Sequence, residues 1–238
     1  MKKALLCSVA LFGALSLGCG GGGGGAMQSS ATQTPTPQNL KSAPAPAEPY
    51  SIPSATLTAT SGGDTYTAIY SQTPNMGTTM FDGQEANSSI VSLTVTENGA
   101  TLSTEVTTAY YLENPYTPLG LAGSVNGTNY EFLFSSVDPL PSTLTVGASG
   151  PLGNGTYYLS GTNTATGSLT ETYAVTANNP TTLLLTTYAS GTVNGQSISE
   201  TINYAVSASG AFELQSVDIL LNGTTLNFAN SCDGCWDY

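Results

Sequence analysis

From residue 55 onward the chain alternates apolar and polar residues in short runs, a pattern that predicts β-strands and contains no helical period. The runs are rich in Thr, Val, Ile, Leu and Tyr, side chains that suit a pleated, half-buried surface. Asn-Gly is the preferred pair of a two-residue hairpin turn, because both of its residues adopt positive φ readily. Four such pairs lie between alternating runs, at Asn98-Gly99, Asn126-Gly127, Asn194-Gly195 and Asn222-Gly223. The pattern therefore predicts successive antiparallel hairpins.

Each predicted turn fixes which side chains share a face of its hairpin. A two-residue turn at Asn194-Gly195 places Leu183 opposite Val206 and Leu185 opposite Tyr204, with hydroxyl side chains on the other face. The other three hairpins also gain one apolar face each. These faces are Leu119, Leu121, Val125, Tyr130, Phe132 and Phe134; Val217, Ile219, Leu221, Leu226 and Phe228; and Val91, Leu93, Val95, Leu102 and Val106.

About a dozen strands in sequential hairpins predict an all-β fold, an antiparallel up-and-down meander. Such a sheet must hide its edge strands, so we expect a closed or partly closed barrel, with a β-sandwich as the alternative. The segments 72–88 and 136–154 are predicted to be longer loops. A fifth pair, Asn154-Gly155, follows a weaker strand and is a less definite turn.

The N-terminus has the composition of an export signal. Lys2 and Lys3 precede a fifteen-residue, mostly apolar run, which is shorter than the roughly 18–20 residues of a membrane-spanning helix. Its ending, Leu15-Ser16-Leu17-Gly18-Cys19, resembles the lipobox of bacterial lipoproteins, although Ser16 stands where leucine is usual. The resemblance implies cleavage before Cys19 and lipidation of that cysteine. Because Gly20 and not aspartate follows, it also implies sorting to the outer membrane.

Three regions follow from these patterns. Residues 1–18 are the predicted signal peptide, and residues 19–54 are the lipidated cysteine and a Gly/Pro/Thr-rich tether with too few apolar residues to fold. Residues 55–238 are predicted to form a single β domain. Near its end, Cys232 and Cys235 are predicted to form a disulfide, because an exported protein meets oxidising conditions.

The charge balance excludes several functions. The chain has fifteen carboxylates, three lysines, no arginine and no histidine, and its formal net charge is −12. No basic side chain follows Lys41, so nucleic acid is not an expected partner. Ser-His-Asp and Cys-His catalysis lack their base, and a His-containing zinc site lacks its ligand. Asp82-Gly83-Gln84-Glu85 could supply oxygens to Ca²⁺, but no Asp-x-Asp-x-Asp-Gly ladder is present, and no cofactor is predicted.

The candidate binding residues are polar side chains that the registers place on core faces. Glu200 is in phase with Ile202, and a weak internal repeat of about 30 residues puts Glu171 in the equivalent position. The other carboxylates, Glu105 among them, are expected on the polar face or at turns. A cavity lined by polar groups would explain the set, and wet sheet ends or a bulge are the alternative. The set comprises Glu171, Tyr173, Glu200, Tyr204, Glu213 and Gln215.

The sequence therefore favours a non-catalytic β domain, anchored to the bilayer by its N-terminal lipid, that binds a ligand or an envelope partner. A surface adhesin or structural envelope protein is the second hypothesis. A glycan hydrolase that uses Glu171 and Glu200 as its carboxylate pair is the third.

Overall fold

The alternating segments form β-strands throughout the part of the chain that is described. The computed structural model describes residues 39–45, 52–112, 117–125, 128–221 and 224–230. None of these residues belongs to a helix long and apolar enough to cross a membrane. The strands are β1 (Ser42–Pro44), β2 (Ile52–Ser61), β3 (Asp64–Pro74), β4 (Thr79–Phe81), β5 (Gln84–Glu97), β6 (Ala100–Leu112), β7 (Thr117–Val125), β8 (Thr128–Val137), β9 (Thr143–Thr145), β10 (Ser149–Leu159), β11 (Ala165–Ala177), β12 (Thr182–Val193), β13 (Gln196–Ser207), β14 (Phe212–Leu221) and β15 (Thr224–Asn230).

Twelve of these strands close into one antiparallel barrel. The order around the barrel is β2, β3, β5, β6, β7, β8, β10, β11, β12, β13, β14, β15, and β15 pairs again with β2. Each strand lies beside the next one along the chain, apart from the short β4 and β9 in two connections. The up-and-down meander and the barrel predicted from the sequence are confirmed, and the sandwich alternative is not the fold.

Two of the predicted Asn-Gly turns are described, and both are present. Asn98 and Gly99 have φ of 48° and 82°, and Asn194 and Gly195 have φ of 50° and 76°, the positive values that these turns require. The predicted pairs of Leu183 with Val206 and of Leu185 with Tyr204 are confirmed. Asn126-Gly127 and Asn222-Gly223 lie outside the described residues.

Asn154-Gly155 was wrongly predicted as a turn. The pair lies inside β10, where a register shift against β8 occurs between these two residues. A Cβ on Gly155 would lie 2.3 Å from the ring of Phe132, so glycine here gives space to a neighbouring aromatic side chain. The pair therefore marks a bulge and a close approach within a strand.

The two ends of the barrel differ. At one end, called the turn end, two-residue turns connect β2 to β3, β5 to β6 and β12 to β13. At the other, called the plug end, the connections are longer and include β9. There β1 pairs with β9, and Leu144 packs with the interior residues Leu183 and Val206. We call the β1–β9 pair the plug.

The plug corrects the predicted extent of the tether. Residues 39–45 were expected to be disordered, but the backbone N–H of Ala45 donates to Ser142 and that of Val146 to Lys41, both at 3.0 Å. Ala43 is 2% exposed. The alternation in Ser42-Ala43-Pro44-Ala45 gives this segment a small apolar face despite its tether-like composition. The predicted loops 72–88 and 136–154 likewise contain short strands, β4 and β9.

Candidate functional site

Glu171 and Glu200 face the interior of the barrel, as their registers predicted. Glu171 pairs with Ala189, which pairs with Glu200 on its other side, so both carboxyl groups lie at one level with a small side chain between them. They are 2% and 3% exposed. Neighbouring interior positions hold apolar residues such as Leu169 and Ile198. The two glutamates are therefore acidic positions in an otherwise apolar part of the wall.

A third interior carboxyl, Glu105, was missed because a β-bulge reverses the phase of β6. Val95 pairs with Ser103, but Thr96 pairs with Thr101, which leaves Leu102 as the extra residue. Beyond the bulge the prediction was wrong for two residues. Glu105 lies opposite Leu93 and is 5% exposed, whereas Val106, expected in the core, is 49% exposed. The hydroxyl-rich alternation of β6 gave no signal of this extra residue.

Tyrosine hydroxyl groups accompany these carboxyls. The phenol of Tyr130 donates a hydrogen bond to Oε1 of Glu105, and the hydroxyl of Thr107 donates to the same oxygen at 2.9 Å. Tyr157 is 1% exposed, and its ring centroid lies 4.8 Å from that of Phe132. Its hydroxyl has no hydrogen-bond partner. We call Glu105, Glu171, Glu200, Tyr130 and Tyr157 the acidic cluster.

The cluster draws its members from opposite walls of the barrel. Glu105 is on β6 and Glu200 on β13, and five strands separate these two in either direction around the barrel. Burial raises the pKa of Glu200 well above its usual range, and the nearby charges of Glu105 and Glu171 raise it further. Burial and the same three glutamates raise the pKa of Tyr157. Ionisation of Glu105 or Glu171 therefore disfavours ionisation of Glu200 across the interior.

Burial alone is enough to keep these carboxyls protonated near neutrality. It raises the pKa of Glu171 to about 8. It also raises the pKa of Glu105 to about 8, although the hydrogen bonds from Tyr130 and Thr107 act to lower it. Four carboxyl oxygens are buried without a partner, namely Oε2 of Glu105, Oε1 of Glu171 and both of Glu200. The neutral form avoids the much larger cost of burying three charges without counter-ions.

The described part of the chain supplies no cation to neutralise the cluster. Lys41 is the last basic residue of the sequence, and its side chain is exposed beside the plug. Within the described ranges, no three His, Cys, Asp or Glu side chains are grouped so that they could hold a metal ion. Any positive charge at these carboxyls must therefore come from outside the barrel wall.

The other predicted site residues divide into two groups. Tyr173 and Tyr204 are half-buried on the interior face and pack against the apolar cluster beneath the plug. The expectation that Glu213 shares their face was wrong, because Gln215 is the extra residue of a second bulge. Tyr204 pairs with Leu214, and Glu213 with Ala205, on the opposite face. Gln215 is half-buried at the bulge itself.

Four further predicted positions have simpler outcomes. Cys19, Cys232 and Cys235 lie outside the described residues. Asp82, considered for calcium, has φ of 45° in the tight turn between β4 and β5, and the hydroxyl of Thr78 donates to the carboxylate of nearby Glu85.

No protein-family model matches this chain, and no curated protein or solved structure does so either. The acidic cluster is thus the feature that bears on function.

Proposed function

We propose that this protein is a non-catalytic β domain of the cell envelope, anchored to the outer membrane through Cys19, that binds a small ligand inside its barrel. The observation that supports binding is the acidic cluster with its unpartnered oxygens. Buried polar groups are normally hydrogen-bonded, and groups that are not are often reserved for a ligand. Here four carboxyl oxygens and the Tyr157 hydroxyl are buried without a hydrogen-bond partner.

A purely structural role accounts poorly for these residues. Apolar side chains fill the interior around them, including Leu121, Phe132 and Ile198, each at most 5% exposed. The same wall built with leucine would avoid the desolvation of three carboxyl groups. Three buried glutamates on three different strands therefore favour a functional role, in which a ligand donates hydrogen bonds to their carboxyl oxygens.

Enclosure also favours binding over hydrolysis. A glycosidase needs both carboxyls open to the scissile bond of a polymeric substrate. Glu171 and Glu200 are 2% and 3% exposed, and Ala189 fills the position between them. A glycan chain could not reach the pair without opening the barrel. A small ligand enclosed by the barrel wall fits this arrangement better than a glycan chain does.

Native mass spectrometry of the full-length protein, released gently from its own envelope, tests the proposal. We expect a reproducible added mass in the wild type that is lost from the double variant Glu171→Gln/Glu200→Gln. Glu131→Gln on the outer face of β8 is the matched control and should keep it. A clean unliganded mass for the wild type would refute binding and favour the adhesin or structural hypothesis.

The anchor is tested separately by Cys19→Ser. The lipid is attached through the thiol, so this variant should move from the membrane fraction to the soluble fraction of the envelope. Cys232→Ser is the control and should stay with the membranes. Membrane association that survives loss of Cys19 would refute the lipid anchor but would leave the interior binding site untouched.

A further inference from the structure

The acidic cluster presents many hydrogen-bond acceptors and one unpartnered hydroxyl donor, that of Tyr157. When its three carboxyls are ionised they can only accept hydrogen bonds. Tyr130 already donates to Glu105, and Thr107 does so too. A ligand that satisfies the remaining oxygens must therefore bring several N–H or O–H donors and positive charge. The net charge of −12 on the chain would attract such a ligand from solution.

Tyr157 provides a second and independent indication of a ligand. Its side chain is 1% exposed and its hydroxyl is unpartnered, and it packs in one interior cluster with Leu169 and Ala189, next to Glu171 and Glu200. Its ring packs against Phe132 at 4.8 Å and Tyr130 at 6.3 Å, and such aromatic faces attract organic cations. The unpartnered hydroxyl and the aromatic ring faces thus lie in the same interior as the carboxyl groups.

The position of the carboxyls on the wall distinguishes between kinds of cation. A calcium ion needs six to eight oxygens at 2.3–2.6 Å from one point, roughly the geometry of a tight cage. Here Glu105 and Glu200 project from opposite strands, and Ala189 separates Glu200 from Glu171. Beside Glu171 and Glu200 the wall is apolar, with Leu169 and Ile198 one level nearer the turn end. Charges spaced along an alkyl chain match this arrangement better than a point charge.

We propose that the ligand of the acidic cluster is a small alkyl ammonium ion, most simply a diamine, whose ammonium groups pair with Glu200 and with Glu105 or Glu171. Each ammonium group supplies three donors, and the methylene chain lies against the apolar wall. This inference rests on the proposed function, because it names the ligand of the same interior site.

Ammonium binding must then displace protons from the cluster. Each carboxyl loses its proton as it pairs with an ammonium group. Among the described residues, the titratable side chains that line the interior with the three carboxyls are phenols, those of Tyr70, Tyr130, Tyr157, Tyr173 and Tyr204. They carry no charge when protonated and offer no competing cation. Affinity should therefore increase as pH rises toward the range in which the carboxyls ionise, by about tenfold per pH unit for each proton displaced.

Calorimetric titration of the full-length protein with a five-carbon diamine tests the proposal, with the diol of equal length as the neutral probe. Because the cluster is enclosed, each sample is equilibrated for hours before measurement. We expect the diamine alone to bind, more tightly at about pH 8 than at about pH 6, with proton release. Glu200→Gln should weaken binding about tenfold or more, whereas Glu131→Gln should change it little.

Three results would overturn the proposal. Equal binding by Glu200→Gln and the wild type would place the diamine elsewhere, on the acidic surface. Equal binding of diol and diamine would show that charge is not recognised. Binding of Ca²⁺ without binding of the diamine would replace the ammonium ion with a metal and leave the proposed binding function intact. If native mass spectrometry of the protein from its own envelope showed no added mass, both the ammonium ligand and the proposed binding function would be refuted.

Discussion

Replacing Glu171 by glutamine should change how the stability of the barrel depends on pH. The side chain keeps its size and loses its ability to ionise. The pKa of Glu171 is raised from 4.5 to about 8 by burial, with no other cause contributing. The folded barrel therefore holds this proton over a pH range in which the unfolded chain releases it.

The sign follows from proton linkage. A carboxyl whose pKa is higher in the folded state than in the unfolded state stabilises the fold through its bound proton. This stabilisation is complete at pH values below the unfolded-state pKa, and it is lost as the pH rises toward the folded-state pKa. The window for Glu171 is thus about pH 4.5 to 8. At about 1.4 kcal/mol per pH unit, wild type should lose about 2.5 kcal/mol between pH 5 and pH 7 through this residue. The variant should not lose it.

Urea denaturation followed by far-ultraviolet circular dichroism, repeated across this pH window, measures the effect. The quantity to compare is the change in unfolding free energy with pH, because a buried amide adds a constant difference of its own. Glu131→Gln, on the outer face of β8, controls for the loss of one surface carboxylate. Parallel pH profiles for Glu171→Gln and the wild type would refute the reasoning, since Glu171 would then ionise in the folded barrel at little cost.

Three further variants probe other features. Tyr130→Phe removes a hydrogen bond that lowers the pKa of Glu105, so the titration of that carboxyl, followed by infrared spectroscopy, should move above its present value of about 8. Gly99→Val puts a β-branched residue at φ 82° and should lower the unfolding free energy by about 2 kcal/mol, whereas Gly99→Asn should lower it less. Leu144→Ala, at a side chain with no exposure, should speed hydrogen exchange in residues 39–45 before it affects the barrel strands. Unchanged exchange there would mean that Leu144 does not hold the plug.

Local chemistry determined the hairpins, and the sequence was sufficient to predict them. Asn194-Gly195 sets a register by itself, and every pair predicted from that turn is present, including Ala189 opposite Glu200. A bulge carries no comparable signal. Leu102 and Gln215 are ordinary strand residues, and each reverses the phase of its strand, so Glu105 was placed outside and Glu213 inside.

The site also depends on closure, which a local pattern does not encode. Glu105 and Glu200 are 95 positions apart and face the same interior only because twelve strands close into a barrel. The internal repeat indicated that Glu171 and Glu200 are equivalent, and they do share one level of the wall. The plug was missed because its segment has the composition of a tether, and only packing against Leu144 and its neighbours orders it.

The plug is the part of the described barrel that lies nearest in sequence to the proposed lipid anchor. Nineteen residues, 20–38, lie between Cys19 and the first described residue. With Cys19 lipidated as proposed, the plug end is the end of the barrel joined to the anchor, and the described Asn-Gly turns lie at the opposite end. Tension on the anchor would act first on β1, which is three residues long, and would peel it from β9 while the closed barrel stayed intact.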